Sequence, residues 1–182
     1  MKKYSLLTSF LPWFVYWVGL SLGQLKLSLG LALLISLFLS FKELRQGKIK
    51  DLSLGALLFF LIMFLIISLT KPFWLWHEIS LMGNLALALI TLLTIIIKRP
   101  FTLQYAMESA PKERWASPNF IHGNYVITWG WFFVFVIMAF PSLGELRGIS
   151  SPLWFHWGYS FICFIGGMIF TNWYTKISRA KS

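Results

Sequence analysis

Six blocks of apolar residues, each about as long as a lipid bilayer is thick, divide this 182-residue chain, and its positive charges collect in alternate gaps between them. The blocks cover residues 5–22, 25–41, 52–70, 79–97, 123–140 and 154–172. At about 1.5 Å per residue, a helix of that length crosses the ~30 Å hydrocarbon layer with little tilt. It also satisfies its own backbone polar groups, which lipid cannot do. The predicted fold is therefore all-α, a polytopic membrane protein of six transmembrane helices in three antiparallel pairs, with residues 1–182 forming one domain. Runs such as Leu57 to Phe64 are apolar on every face, which excludes a β-barrel of alternating strands. At 58% hydrophobic and 12% charged residues, hardly any chain is left for a soluble domain.

The charges orient the bundle. Of 16 Lys and Arg, thirteen lie at the N-terminus (Lys2, Lys3), in the second gap (Lys42, Arg45, Lys48, Lys50), in the fourth (Lys98, Arg99, Lys112, Arg114) and at the C-terminus (Lys176, Arg179, Lys181). The other side holds Lys26, Lys71 and Arg147. Positive residues stay in the cytoplasm, so both termini are predicted to be cytoplasmic. The net charge of +10 does not point to nucleic acid, because the basic residues form no stripe and lie beside apolar spans. The first block follows Lys2 and Lys3 but lacks a small-residue cleavage site, and it reads as a retained helix.

The spans contain little that is chemically reactive. No Asp, Glu, Lys or Arg falls near a span centre, which argues against a proton-coupled pump or voltage sensor; Lys26 and Glu78 sit at block edges. A single cysteine, Cys163, provides neither a disulfide framework nor a Cys-based zinc site within one chain and reads as a small buried hydrophobe. Trp and Tyr gather at block ends, among them Trp13, Trp17, Trp129, Trp131, Trp173 and Tyr174, where headgroup anchoring is expected. The spacing of Gly19 and Gly23 suits internal helix packing better than dimerisation. Asn84, Thr91, Thr94 and Thr128 are the polar residues that would line a site between helices if the chain transported a small molecule or lipid. His77 and His156 are the one same-side histidine pair for a haem or metal site, with interfacial polar residues as the simpler reading. No phosphate-binding loop, nucleophile elbow or zinc-protease motif occurs, and the spacing of Glu108, Glu113 and His122 requires no acid–base role. The residues favour a non-enzymatic protein and imply no cofactor.

The fourth gap is the most distinctive local stretch. Pro100 ends the fourth helix after a basic pair, and Phe101, Leu103, Tyr105, Trp115 and Phe120 are too apolar for a free linker. Residues 98–122 are expected to lie in the cytoplasmic interface, with basic groups on anionic headgroups and aromatic rings dipping below them. A surface for docking other proteins, or a loop packed on the bundle, would have the same composition.

Phe10-Leu11-Pro12 near the start, Lys98-Arg99-Pro100-Phe101 after the fourth helix, then Trp115, Asn119 and the aromatic start of the fifth helix from Trp129 to Phe133 follow one another in a recognisable order. That order resembles the bacterial intracellular septation protein A family of inner membrane-spanning proteins. The resemblance implies a multi-pass inner-membrane protein that supports envelope integrity and septation as a scaffold for other membrane proteins. It makes Lys98, Arg99, Pro100, Phe101, Trp115 and Asn119 the candidate partner-contact residues. The rival readings are a transporter using Asn84, Thr91, Thr94 and Thr128, and a haem-binding redox protein using His77 and His156.

Overall fold

The computed structural model describes residues 5–70, 75–146 and 153–180. It is all-helical, with no strand among the described residues. The helices are α1 (Ser5–Ser9), α2 (Leu11–Ser21), α3 (Leu25–Arg45), α4 (Asp51–Thr70), α5 (Leu75–Ile96), α6 (Phe101–Met107), α7 (Pro118–Leu146) and α8 (Leu153–Ala180), with a 3₁₀ turn at Lys112–Arg114 before α7. Among the described residues, four segments are long and apolar enough to cross a membrane: Leu25–Arg45, Asp51–Thr70, Glu78–Ile96 and Pro118–Gly144. Their outward faces are apolar too, as in Leu27, Leu31 and Leu34 on α3 or Phe133, Ile137 and Phe140 on α7, all of them exposed. Helices that are apolar inside and out belong in lipid and not in water.

The first apolar block is two helices, not one. Pro12 has no N–H to give the Thr8 carbonyl, so the ladder fails there. The chain steps through Phe10, whose N–H reaches back to the Leu7 carbonyl at 3.2 Å, and α2 restarts with Pro12 in its first turn. The break drives Phe10 into the middle of the bundle. Its ring stacks on Trp131 of α7 at 5.5 Å between centroids and meets Phe164 of α8 edge-on at 5.2 Å.

Three helix ends close in the same way. In each, an N–H reaches back five residues while the residue before it turns left-handed, the glycine-type helix stop. Gln24 N–H donates to the Gly19 carbonyl, Lys48 to Glu43 and Arg99 to Thr94, at 2.9, 3.0 and 2.8 Å. The left-handed residues are Gly23 (φ 68°), Gly47 (φ 67°) and Lys98 (φ 59°). The first two are glycines, which adopt this backbone at no steric cost; the third is not.

Packing runs α2 on α3 on α4 in one half and α5 on α7 on α8 in the other, with thinner contacts from α4 to α5, α2 to α8 and α1 to α6 joining the halves. Between helices in lipid there is little hydrophobic drive, so cohesion falls to close packing and interhelical hydrogen bonds. Gly19 lies against Ser28 so closely that a Cβ at that position would collide with it, which ties α2 to α3 within the chain. Trp13 and Trp131, expected at headgroup depth, are fully buried instead. The Trp131 indole N–H finds Thr171 Oγ1 at 3.0 Å, a partner that lets a polar ring sit inside. Trp129 and Trp173 do remain exposed. Pro141 likewise frees the Ile137 carbonyl in α7, and the Tyr159 hydroxyl donates to it at 3.3 Å.

Candidate functional site

The candidate site is the corner where α6 crosses the end of the bundle. Pro100, which follows the α5 stop, precedes the first turn of α6, and the Phe101 N–H is taken up by Thr94 Oγ1 at 3.3 Å. Phe101, Thr102 and Tyr105 point inward and are buried. The expected dipping of these aromatic rings into headgroups is therefore replaced by packing on the protein, because polar partners for α6 wait beneath it. The Thr102 and Thr128 hydroxyls lie 2.7 Å apart and each is 2.8 Å from the Asn124 carbonyl, so one donates to the carbonyl and the other to its neighbour.

A second set of contacts holds α6 to the start of α4. Gln104 and Asp51 pair reciprocally, the Asp51 N–H donating to Gln104 Oε1 at 3.0 Å and Gln104 Nε2 to Asp51 Oδ2 at 2.6 Å. Beside them, Lys50 is buried, although sequence reasoning counts it among the charges that orient the chain. Its ammonium lies 3.0 Å from Glu108 Oε1, 3.6 Å from Glu43 Oε1 and 4.4 Å from the centre of the Tyr105 ring. Glu43 also accepts the Lys50 backbone N–H at 3.1 Å and the Ser53 hydroxyl at 3.0 Å. Burial pushes the Tyr105 hydroxyl well above its ordinary range. Ser9 and Ser53 oppose the shift, and the Glu43 and Glu108 carboxylates reinforce it.

The sequence gives one hint of this cluster. Acidic residues number six in the whole chain, and Glu43, Asp51 and Glu108 are three of them. Acids that are scarce and sit at helix ends in a membrane protein are candidates for pairing, but nothing local shows that Glu43 and Glu108 share one lysine.

The other candidates divide by exposure. Lys98, Arg99 and Asn119 are exposed, Trp115 is half-buried with its indole N–H on the Ala110 carbonyl at 3.2 Å, and Pro100 and Phe101 are inside. Compared with models of known families, with curated proteins and with solved structures, the chain matches none. What it does must be argued from this corner and from the bundle beneath it.

Asn84, Thr91, Thr94 and Thr128 are all buried in the bundle. Asn84 Nδ2 donates to the Met138 carbonyl across the α5–α7 contact at 2.9 Å, Thr94 Oγ1 to the Thr91 carbonyl at 2.7 Å, and Thr128 serves α6. Three of the four thus join or brace helices. The side chains of His77 and His156 lie outside the described residues, and with them the haem pairing. Among the described residues no three of His, Cys, Asp and Glu gather to hold a metal.

Proposed function

We propose that this chain is a six-span protein of a bacterial inner membrane, with three antiparallel helix pairs and both termini in the cytoplasm, and that it supports septation and the cell envelope by presenting the α6 corner to other membrane proteins. α1 with α2, and α8, are the two spans beyond the four that are long and apolar by themselves. The envelope role rests on the resemblance in sequence; the corner's role rests on its construction.

The observation that carries the reading is Lys98. A left-handed backbone costs an L residue roughly 1–2 kcal/mol, and glycine fills the same place at Gly23 and Gly47. At Lys98 a side chain is kept despite that cost. It is exposed, sits next to exposed Arg99 and is fixed in direction by the helix stop before it and Pro100 after it. A backbone outlier that holds a charged side chain in water supports a contact made there. Engagement of Asn84, Thr94 and Thr128 in packing supports a scaffold over a transport pathway.

Photo-crosslinking in living cells tests the reading. Cross-linkers at Arg99, Lys112 and Asn119 should capture one and the same set of division or envelope-synthesis proteins, while one at lipid-facing Leu89 should not. Capture of lipid alone from all four positions would overturn it.

A further inference from the structure

One face of α3 runs without interruption from apolar side chains into cations. Leu27, Leu31, Leu34, Phe38 and Phe41 recur every three or four residues and are all exposed, so they form a single apolar stripe along the helix. Lys42 and Arg45 continue that face at its carboxyl end and are exposed as well. A long basic side chain at the end of a span ordinarily extends away from the apolar segment towards water. Arg45 does the opposite, for its guanidinium folds back over the Phe41 ring, 4.4 Å from the ring centre. Glu43, the acid between the two cations in sequence, is engaged elsewhere, accepting from the Lys50 N–H and the Ser53 hydroxyl. Neither Lys42 nor Arg45 has a carboxylate partner among the described residues.

We propose that Lys42 and Arg45 hold the phosphate of one phospholipid of net negative charge, with an acyl chain lying along Phe41, Phe38 and Leu34. A cation pair set directly on an apolar stripe complements such a lipid in charge and in polarity, headgroup above and hydrocarbon below. A guanidinium held against a ring keeps its N–H fork for an acceptor, and the fork matches two phosphate oxygens. Lys42, one turn away on the same face, adds the second charge. The choline or ethanolamine group of a zwitterionic lipid would bring a third cation to this pair, which selects against it. The carbonyls that end α3 do not repel the phosphate as an open helix end would, because the Gln46, Gly47 and Lys48 N–H groups cover the Glu43 and Leu44 carbonyls. The site uses neither Lys98 nor Arg99 and is independent of the scaffold reading.

The test is native mass spectrometry of the purified full chain in detergent, titrated with phosphatidylglycerol or with phosphatidylcholine of the same acyl chains. The first lipid bound should favour phosphatidylglycerol by about 30-fold, since two basic groups at an anionic headgroup each contribute roughly a fivefold factor. Lys42→Gln with Arg45→Gln should bring the ratio close to unity. Lys112→Gln with Arg114→Gln, which removes the same charge from other exposed positions, should leave it unchanged. All four side chains are exposed, so both double variants should unfold at the midpoint of the unmodified chain. Equal affinity of the unmodified chain for the two lipids would overturn the proposal. So would a preference that survives in Lys42→Gln with Arg45→Gln, or one lost to the same extent in both double variants.

Discussion

Lys50 and Lys48 lie two residues apart in the connection between α3 and α4, and their environments are opposite. Lys48 is exposed, while Lys50 is enclosed by Glu43, Glu108 and the Tyr105 ring. Removing one member of a buried ion cluster strands the charges it leaves, so Lys50→Met should destabilise the protein by about 3–5 kcal/mol. Lys48→Ala should stay within about 0.5 kcal/mol. Chemical unfolding of the two variants in one detergent gives the comparison, and equal midpoints would mean that the cluster contributes nothing to stability. A charge count along the chain treats these lysines alike because both fall in the same gap between apolar blocks. What separates them is Glu108, more than fifty positions away, and only the fold brings it near. Lys98 is the reverse case. Its position before Arg99-Pro100 marks a helix end in the sequence, but its left-handed backbone appears only in the structure.

At the scale of elements, α6 behaves as part of the core and not as a surface strap. Phe101 is fully buried, and Phe101→Ala should cost about 3–5 kcal/mol, the usual loss when a large ring leaves a cavity. A thermal shift of only a degree or two would show that α6 is loosely held. Tyr105, on the same helix, also gives a pH signature. The folded protein holds Tyr105 in the neutral form, so the stability linked to this group is fully present below about pH 10 and is lost as the pH climbs towards the raised folded value. Above about pH 10 the melting midpoint should therefore fall more steeply for the unmodified chain than for Tyr105→Phe. Parallel curves would contradict the burial. Sequence shows that residues 98–122 are too apolar to be a free linker and that Pro100 stops α5. It does not show which way α6 faces, since a helix of two turns has too few residues for a periodicity. For a related reason, the sequence does not place the rings of Trp13 and Trp131. An indole can anchor at a headgroup or fill a core, and the choice depends on partners such as Thr171 that lie on another helix.

For the whole molecule, four long apolar helices with apolar outer faces make the chain compatible with life inside a membrane. That much is legible from the length and spacing of the apolar blocks, because lipid imposes helix on any segment it surrounds. The arrangement of helices is not legible in the same way. Which helix lies against which is decided by small and polar contacts, such as Gly19 on Ser28 and Asn84 on Met138, that carry no periodic signal. If the α6 corner serves other membrane proteins, its exposed basic edge must matter to the cell while being dispensable to the fold. The direct measurement is complementation, in a bacterium deleted for this chain, by a Lys98→Gly, Arg99→Ala variant. Glycine relieves the left-handed backbone, so the variant should be as stable as the unmodified protein to within about 1 kcal/mol and present in normal amount. The account predicts that it nevertheless fails to restore septation and envelope integrity. Full restoration at normal abundance would contradict it.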